Sequence, residues 1–437
     1  MNMKISFIVP SWHYFNDPFK LQPYWELYYT TILKKQLGSK AEINLIDLRG
    51  KSKQNGKDNF NLIIDEIEKR DFYLYWIMKT GDANEVYSIV QKLKKKFPKS
   101  KHIAGGTHID MLPDECAEKF DTIIIGPAEN NFKLSLEANK KVLKENYTNV
   151  PFSETPYPKR DLLPFNSVFS KEIFKQYGNY NATMVYFSRG CFYKCSYCVY
   201  NVPNKLQSKS PKLITDEIEY LKKEFQVQAI LLKDEIALNP NKKIFLPQMD
   251  ALGKTNVLWR GQTTSVGTYD QLKIAKETGC LELSVGIETV DDNAMKYINK
   301  TWQSEKIIAK FIENIKKVGI KIKICLIFGL PGEPKNIVEK TVKFIEKYRP
   351  DYISLSGFCP MPGSPIYNNP DKFGIEYIDK DWDKHAHLLY RFSDTEHVGL
   401  PFRYKKETEW GNSFTRDQII GNIKEVQKWL STQSMTY

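Results

Sequence analysis

The sequence predicts an α/β protein made of two successive parallel-sheet domains, the first doubly wound and the second a partial (β/α)6 barrel. Three observations carry this. Residues 4–145 alternate short apolar runs with amphipathic segments, the pattern of βαβ units. Residues 146–182 lose that periodicity and carry Pro151, Pro156, Pro158 and Pro164, as a surface linker does. A second alternation opens near Thr183 and runs to about residue 379, leaving 380–437 as an aromatic-rich C-terminal cap over the barrel mouth.

In the first domain, residues 1–145, the predicted strands are Lys4–Pro10, Glu42–Leu48, Phe72–Met78, Lys101–Ala104 and Thr122–Ile125. Phe72–Met78 is a nearly continuous apolar run, as a strand covered on both faces should be. Helical spacing marks Tyr24–Leu37, Asn61–Arg70, Glu85–Phe97, Pro113–Lys119 and a last helix from about Ala128 to Leu143. Five parallel strands in this rhythm match a flavodoxin-like sheet, whose ligands lie beyond the carboxyl ends of the strands. In the second domain, residues 183–379, the strands are Thr183–Phe187, Ala229–Leu232, Val257–Arg260, Leu281–Val285, Ile320–Phe328 and Tyr352–Phe358. Helices fall at Leu213–Phe225, Asp270–Glu277, Ser304–Val318 and Asn336–Tyr348. Barrels place their chemistry at the carboxyl ends of the strands.

Composition removes several classes of function. Apolar residues are 41% and charged residues 27%, the balance of a soluble globular chain. No run of 18 apolar residues exists, so no membrane span is expected. The N-terminus lacks the apolar core and cleavage site of a signal peptide, and a cytoplasmic location is expected. The net charge of +12 divides into +4 for each third of the chain, so there is no basic module and no nucleic-acid partner is expected. Seven cysteines, an odd number, argue against a disulfide framework.

Three of those cysteines, Cys191, Cys195 and Cys198, fall within eight residues just after the first barrel strand. A loop there can wrap three thiolates around one metal centre, and soft thiolates suit iron–sulfur clusters or zinc. Three ligands leave one position open, which suits catalysis better than a closed structural site. The competing reading is a zinc knuckle completed by a distant histidine. Cys280, Cys325 and Cys359 lie in or beside apolar strands and read as buried core residues.

The spacing CxxxCxxC, with aromatic Tyr197 before the third cysteine, resembles the radical S-adenosylmethionine (SAM) superfamily. Further segments agree in order. Lys233 to Asn239 ends the second strand, where the resemblance places a group for the methionine amine, with Asp234 and Glu235 as the candidates. Gly286-Ile-Glu288-Thr resembles the ribose-contacting GIES stretch, and Ile327 to Glu333, through Gly329, resembles the adenine-side GLPGE motif. Pro360 to Tyr367 resembles PxPGTPxY. Thr264 stands where relatives often carry Arg. The resemblance implies that Cys191, Cys195 and Cys198 hold a catalytic [4Fe–4S] cluster and that Tyr197, Asp234, Glu235, Glu288 and Gly329 bind SAM.

Gly105-Gly106-Thr-His108 after the fourth strand and Gly126 after the fifth resemble stretches of the cobalamin-binding domains fused to radical SAM enzymes. Thr107 replaces the usual Pro, and Pro127-Ala128 the usual Glu-Gly. No DxHxxG motif is present, so His108 reads as a corrin-edge or structural residue and not as a cobalt ligand. The resemblance implies three cofactors: the cluster, SAM and cobalamin. It implies a methyltransferase acting on an unactivated carbon or phosphorus of a small molecule, served by an electron donor such as flavodoxin or ferredoxin. The alternatives are a radical SAM oxidative cyclase or rearrangement enzyme, and a non-catalytic metal-binding protein. A tRNA methylthiotransferase needs a second three-cysteine cluster, and only Cys116 precedes Cys191. Trp382, Tyr390, Phe392, Trp410 and Phe414 read as core residues of the cap, with an aromatic substrate cavity as the alternative.

Overall fold

A computed structural model describes residues 2–15, 17–51, 60–199, 205–385 and 399–433. Tyr390 and Phe392 lie outside the described residues. The chain divides into two compact units, Met1–Asn179 with Asp381–Ala386, and Tyr180–Lys380 with His387–Tyr437. The segment from Asp381, which the sequence reads as the start of the cap, therefore folds with the first unit. No helix among the described residues is long and apolar enough to cross a membrane.

The first unit holds one parallel sheet of six strands: β1 (Met3–Val9), β2 (Ala41–Asp47), β3 (Phe72–Trp76), β4 (Lys101–Gly105), β5 (Thr122–Ile125) and β6 (Val142–Lys144). Their order is β2-β1-β3-β4-β5-β6, so winding reverses between β1 and β3. This is the doubly wound arrangement expected, with one strand more. The predicted helix from Ala128 to Leu143 is in fact the helix Asn131–Glu137 followed by β6. Val142–Lys144 carries lysine-rich flanks that mimic a helix face, but pairing with β5 overrides that weak local preference.

The second unit holds β7 (Ala182–Val185), the short pair β8 (Ser188–Arg189) and β9 (Gln207–Ser208), and then β10 (Ala229–Leu232), β11 (Leu258–Thr263), β12 (Cys280–Glu288), β13 (Lys321–Phe328) and β14 (Tyr352–Gly357). The six long strands are parallel and ordered β7-β10-β11-β12-β13-β14, each beside its predecessor. β14 and β7 are not paired, so the barrel is partial. Helices cover the outer face, among them Pro211–Phe225 and Glu305–Lys317. Lys242–Gly253 is also helical, although Pro247 lies inside it and hid it from the periodic pattern.

The C-terminal region contains a helix that the pattern did not suggest, Arg416–Thr432. Thr415 and Gln418 form its capping box, and Ile419, Ile423, Val426 and Leu430 form its buried stripe. It packs on β13, β14 and the helix Ile337–Tyr348. Two strands, Ile375–Ile378 and Phe402–Tyr404, pair antiparallel beside it. Trp410 packs edge-on against Tyr297 and Tyr404.

Candidate functional site

The cysteine loop is held by hydrogen bonds to Asp234, to Ile298 and Asn299, and to Ile366. At its base, Phe187 N donates to Asp234 Oδ1 at 2.7 Å and Ser188 Oγ donates to Asp234 Oδ2 at 2.6 Å. Within the loop, Ser196 N donates to Ile298 O at 2.9 Å, and Ile366 N donates to Ser196 O at 3.0 Å. Asn299 Nδ2 donates to Lys194 O at 2.7 Å, and the Tyr193 ring stacks on Trp302 at 4.2 Å between centroids. Cys195 is buried, while Cys191 and Cys198 are half-buried. Burial pushes the Cys191 thiol up to about 11 and raises that of Cys195. Such thiols keep their protons at neutral pH until a metal displaces them, which couples metal uptake to proton release. Three soft donors on one anchored loop fit an iron–sulfur cluster with one iron left open. Among the described residues, no three His, Cys, Asp or Glu side chains stand close enough together to hold a single metal ion, the three cysteines included.

Glu288 meets this loop from the end of β12. Its Oε1 accepts from Tyr197 Oη at 2.9 Å and from Lys300 Nζ at 3.1 Å. Lys300 also donates to Gly286 O at 2.5 Å and lies 5.2 Å from the Trp302 ring. The two side chains of the ion pair are 12% and 4% exposed. Glu288 adopts a left-handed φ of +69°, which is costly for a residue with a Cβ and aims the carboxylate at the loop. The sequence reading named Tyr197 and Glu288 but missed Lys300, Trp302 and Asn299. They lie about a hundred residues from the cysteines, and a lysine is unremarkable in so basic a chain.

The two acids that follow β10 are engaged by different partners. Asp234 has the parity of buried Leu232, and both its oxygens are taken by the base of the loop. Glu235 has the opposite parity, is half-buried, and accepts from Gln262 Nε2 at 3.1 Å. Burial raises Glu235 to about 7, and its charge acts on Cys191. Of the pair, Asp234 props the loop and Glu235 joins β11 through Gln262. Cys359 packs with Val199 and Met361, and Cys280 donates to Glu282 O.

Gly329 begins the turn after β13 with φ +88°. Its N donates to Glu333 Oε2 and its O accepts from Tyr404 Oη, each at 2.8 Å. Ile419 lies where a Cβ would stand, so the C-terminal cap pins this turn. Burial pushes Glu333 up to about 8. Between its ordinary 4.5 and about 8 the folded chain keeps a proton that the unfolded chain releases. Stability is therefore lost as pH rises through that window, by at most about 1.4 kcal/mol per pH unit. Asp234, raised to about 6, and Glu235 act in the same direction. Glu333→Gln should flatten the dependence, gaining on the wild type between pH 5.5 and 8.5 in urea denaturation. Equal slopes for the two proteins would refute it.

In the first unit, Gly105, Gly106, His108 and Gly126 sit at the carboxyl ends of β4 and β5, and the three glycines are packed closely by neighbouring chain. A Cβ on Gly105 would meet the Trp76 ring at 2.7 Å, and one on Gly106 would meet Ile77 O at 2.6 Å. One on Gly126 would strike Glu145 O. His108 is buried, its Nε2 lies 2.9 Å from Tyr87 Oη, and its Nδ1 lies 3.4 Å from Thr80 Oγ1. Burial lowers His108 to about 3. Trp382 packs edge-on against it and donates from Nε1 to Glu115 Oε1 at 2.7 Å. A side chain at any of these three glycines would collide with the chain itself, so close packing requires glycine there.

Residues 185–345 match the model of the radical SAM superfamily. The chain is 25% identical over 360 residues to the bacteriochlorophyllide d C-8(2)-methyltransferase of Chlorobaculum tepidum, covering 78% of this chain and 77% of that protein. Its fold is similar to the radical SAM methyltransferase TsrM of Kitasatospora setae, solved with cobalamin and a [4Fe–4S] cluster, at TM-score 0.64 and 14% identity over 86% of this chain and 79% of that one. It is also similar to the cobalamin-dependent SAM radical enzyme OxsB, solved with aqua-cobalamin and SAM, at TM-score 0.68 and 15% identity over 98% of this chain and 67% of that one. Residues 185–345, in the second unit, thus carry a radical SAM domain, and the chain is an enzyme related to the cobalamin-dependent radical SAM methyltransferases.

Proposed function

We propose that Cys191, Cys195 and Cys198 hold one [4Fe–4S] cluster, that SAM binds beside it, and that the enzyme methylates an unactivated carbon or phosphorus of a small molecule with the help of cobalamin. The observation that carries the radical part is the anchored cysteine loop facing the Tyr197–Glu288–Lys300 group at the carboxyl ends of the strands. When bound, such a cluster supplies the one electron that cleaves SAM into methionine and a 5′-deoxyadenosyl radical. Glu288, fixed by two donors, offers a carboxylate oxygen to the ribose hydroxyls. Glu235 offers the interior carboxylate for the methionine ammonium. The turn at Gly329 presents backbone to the adenine side. Cobalamin enters this reading through the relatives, and Gly105, Gly106, His108 and Gly126, at the carboxyl ends of β4 and β5, are the residues assigned to its corrin. The electron comes from a small reductase partner of the flavodoxin or ferredoxin kind.

Product stoichiometry tests the reading. A methyl cation is needed to recharge cob(I)alamin and a radical is needed to open the substrate bond, and SAM serves both. Each methylation should yield one S-adenosylhomocysteine and one 5′-deoxyadenosine. Full turnover in cobalamin-free enzyme without S-adenosylhomocysteine would replace methyl transfer by an oxidative cyclisation or rearrangement, and would leave the radical SAM assignment in place.

A further inference from the structure

The turn after β13 owes its shape to chain that lies far from it in sequence. Gly329 and Gly332 both take left-handed φ, +88° and +84°. Two such glycines make a permissive turn, so contacts from outside must select one of its conformations. At one end, Tyr404 Oη donates to Gly329 O at 2.8 Å. At the other, Asn293 Nδ2 donates to Gly332 O at 3.0 Å, and the Tyr297 ring lies where a Cβ of Gly332 would stand. The Trp410 ring joins the two ends. It packs edge-on against Tyr404 at 5.7 Å between centroids and against Tyr297 at 4.8 Å.

Ordinary turn chemistry does not put a tryptophan at that place. Trp410 is one of the two residues that join Glu407–Thr408 to Gly411–Asn412, which pair antiparallel as a tight hairpin. Two-residue hairpin loops favour Asn, Asp or Gly. Here the tip carries a half-buried indole, and Gly374 leaves room for it, since a Cβ there would meet Trp410 Cη2 at 2.8 Å. The strand Phe402–Tyr404, which carries the hydroxyl, is fixed as well. It pairs with Ile375–Ile378, its Phe402 ring packs edge-on against Phe358 at 5.0 Å, and Phe402 O accepts from Arg416 Nε at 2.6 Å. The cap thus holds a hydroxyl at one end of the turn and a ring that reaches both ends.

We propose that Tyr404 and Trp410 are positioning residues for SAM: with Tyr297 they clamp the turn Gly329–Gly332 in the conformation that receives the adenine, so the C-terminal cap sets the affinity for the nucleoside half of the cofactor. The inference deepens the proposed function and rests on it for the placing of adenine at this turn. Tyr404 acts through the Gly329 carbonyl and Trp410 through two rings, so neither needs to touch SAM. The methionine half is served in the proposed function by Glu235, which follows β10 and is held by Gln262 on β11. Loosening the clamp therefore weakens one half of SAM and spares the other.

Anaerobic equilibrium dialysis of the cluster-loaded full chain tests this, with SAM, 5′-deoxyadenosine and methionine as the ligands. Tyr404→Phe keeps the ring and removes only the hydroxyl. It should weaken SAM and 5′-deoxyadenosine about tenfold each, the value of one stranded buried carbonyl, and leave methionine within about twofold. SAM cleavage at saturating SAM should keep its rate within about twofold while KM rises about tenfold. Trp410→Ala should act in the same direction, and Trp410→Phe, which keeps a ring between the two tyrosines, should recover part of the loss. Melting temperature and iron content show that each variant is folded and loaded. If Tyr404→Phe fails to fold, the two Trp410 variants carry the same test. Unchanged SAM affinity in folded Tyr404→Phe and Trp410→Ala overturns the proposal. So does an equal loss for methionine and 5′-deoxyadenosine, which marks a general loosening of the domain. A wild type that binds no SAM sinks the proposed function and the inference with it, whereas a wild type that binds SAM no better than Tyr404→Phe sinks the inference alone.

Discussion

Replacing Cys191, Cys195 and Cys198 together by alanine should abolish iron binding and SAM cleavage while the chain stays folded. The loop is not held by its thiols. Its bonds run through Ser196 N, Ser196 O, Lys194 O, Phe187 N and the Ser188 hydroxyl, and none of these is touched by the change. Only Cys195 is buried among the three, so the packing loss should be about 1 kcal/mol. Iron and acid-labile sulfide should fall from about four per chain in anaerobically reconstituted wild type to none. 5′-Deoxyadenosine should become undetectable, because no route remains for the electron. A triple variant that keeps about four irons would show that the ligands are elsewhere. A colourless wild type holding one zinc would favour the non-catalytic reading.

That loop was legible because its chemistry demands neighbours in sequence: three thiolates around one cluster must come from a few turns of chain. The strands were legible for a similar reason, since parallel strands covered on both faces read as apolar runs, as in Phe72–Trp76 and Ala229–Leu232. Features that depend on distant partners were not. Lys300 acquires its role only because β12 and the following turn bring it to Glu288. Asp234 and Glu235 are adjacent letters, and only the fold gives one to the loop base and the other to Gln262 on β11. At Gly105 and Gly126 the glycine also marks a place where another part of the chain presses close, here Trp76 and Glu145, a contact that no local pattern announces. The Arg416–Thr432 helix was hidden because its buried stripe is only four residues among polar ones.

Glu288→Ala is expected to be the most damaging single change at the site that leaves the cysteines intact. It removes the acceptor shared by Tyr197 and Lys300 and leaves an ammonium, 4% exposed, with one carbonyl as its remaining bond in this group. Breaking one side of so buried a pair costs about 3 kcal/mol. The backbone offers no relief, since alanine at φ +69° is as strained as glutamate. Glu288→Gly should therefore be milder, by about 1 kcal/mol, although it loses the same carboxylate. Lys300→Met in the same chain removes the stranded charge, so the double variant should be more stable than the sum of the single losses by about 1–3 kcal/mol. Urea denaturation of the metal-free protein, followed through hydrogen exchange of the β12 and β13 amides, measures the cycle without a cofactor. SAM affinity of the reconstituted protein should fall by about tenfold or more in Glu288→Ala, and Glu288→Gln, which keeps an acceptor oxygen, should recover part of it. Additivity of the two single changes within about 0.5 kcal/mol would mean that Glu288 and Lys300 do not act as a pair, and unchanged SAM affinity would remove Glu288 from the cofactor site.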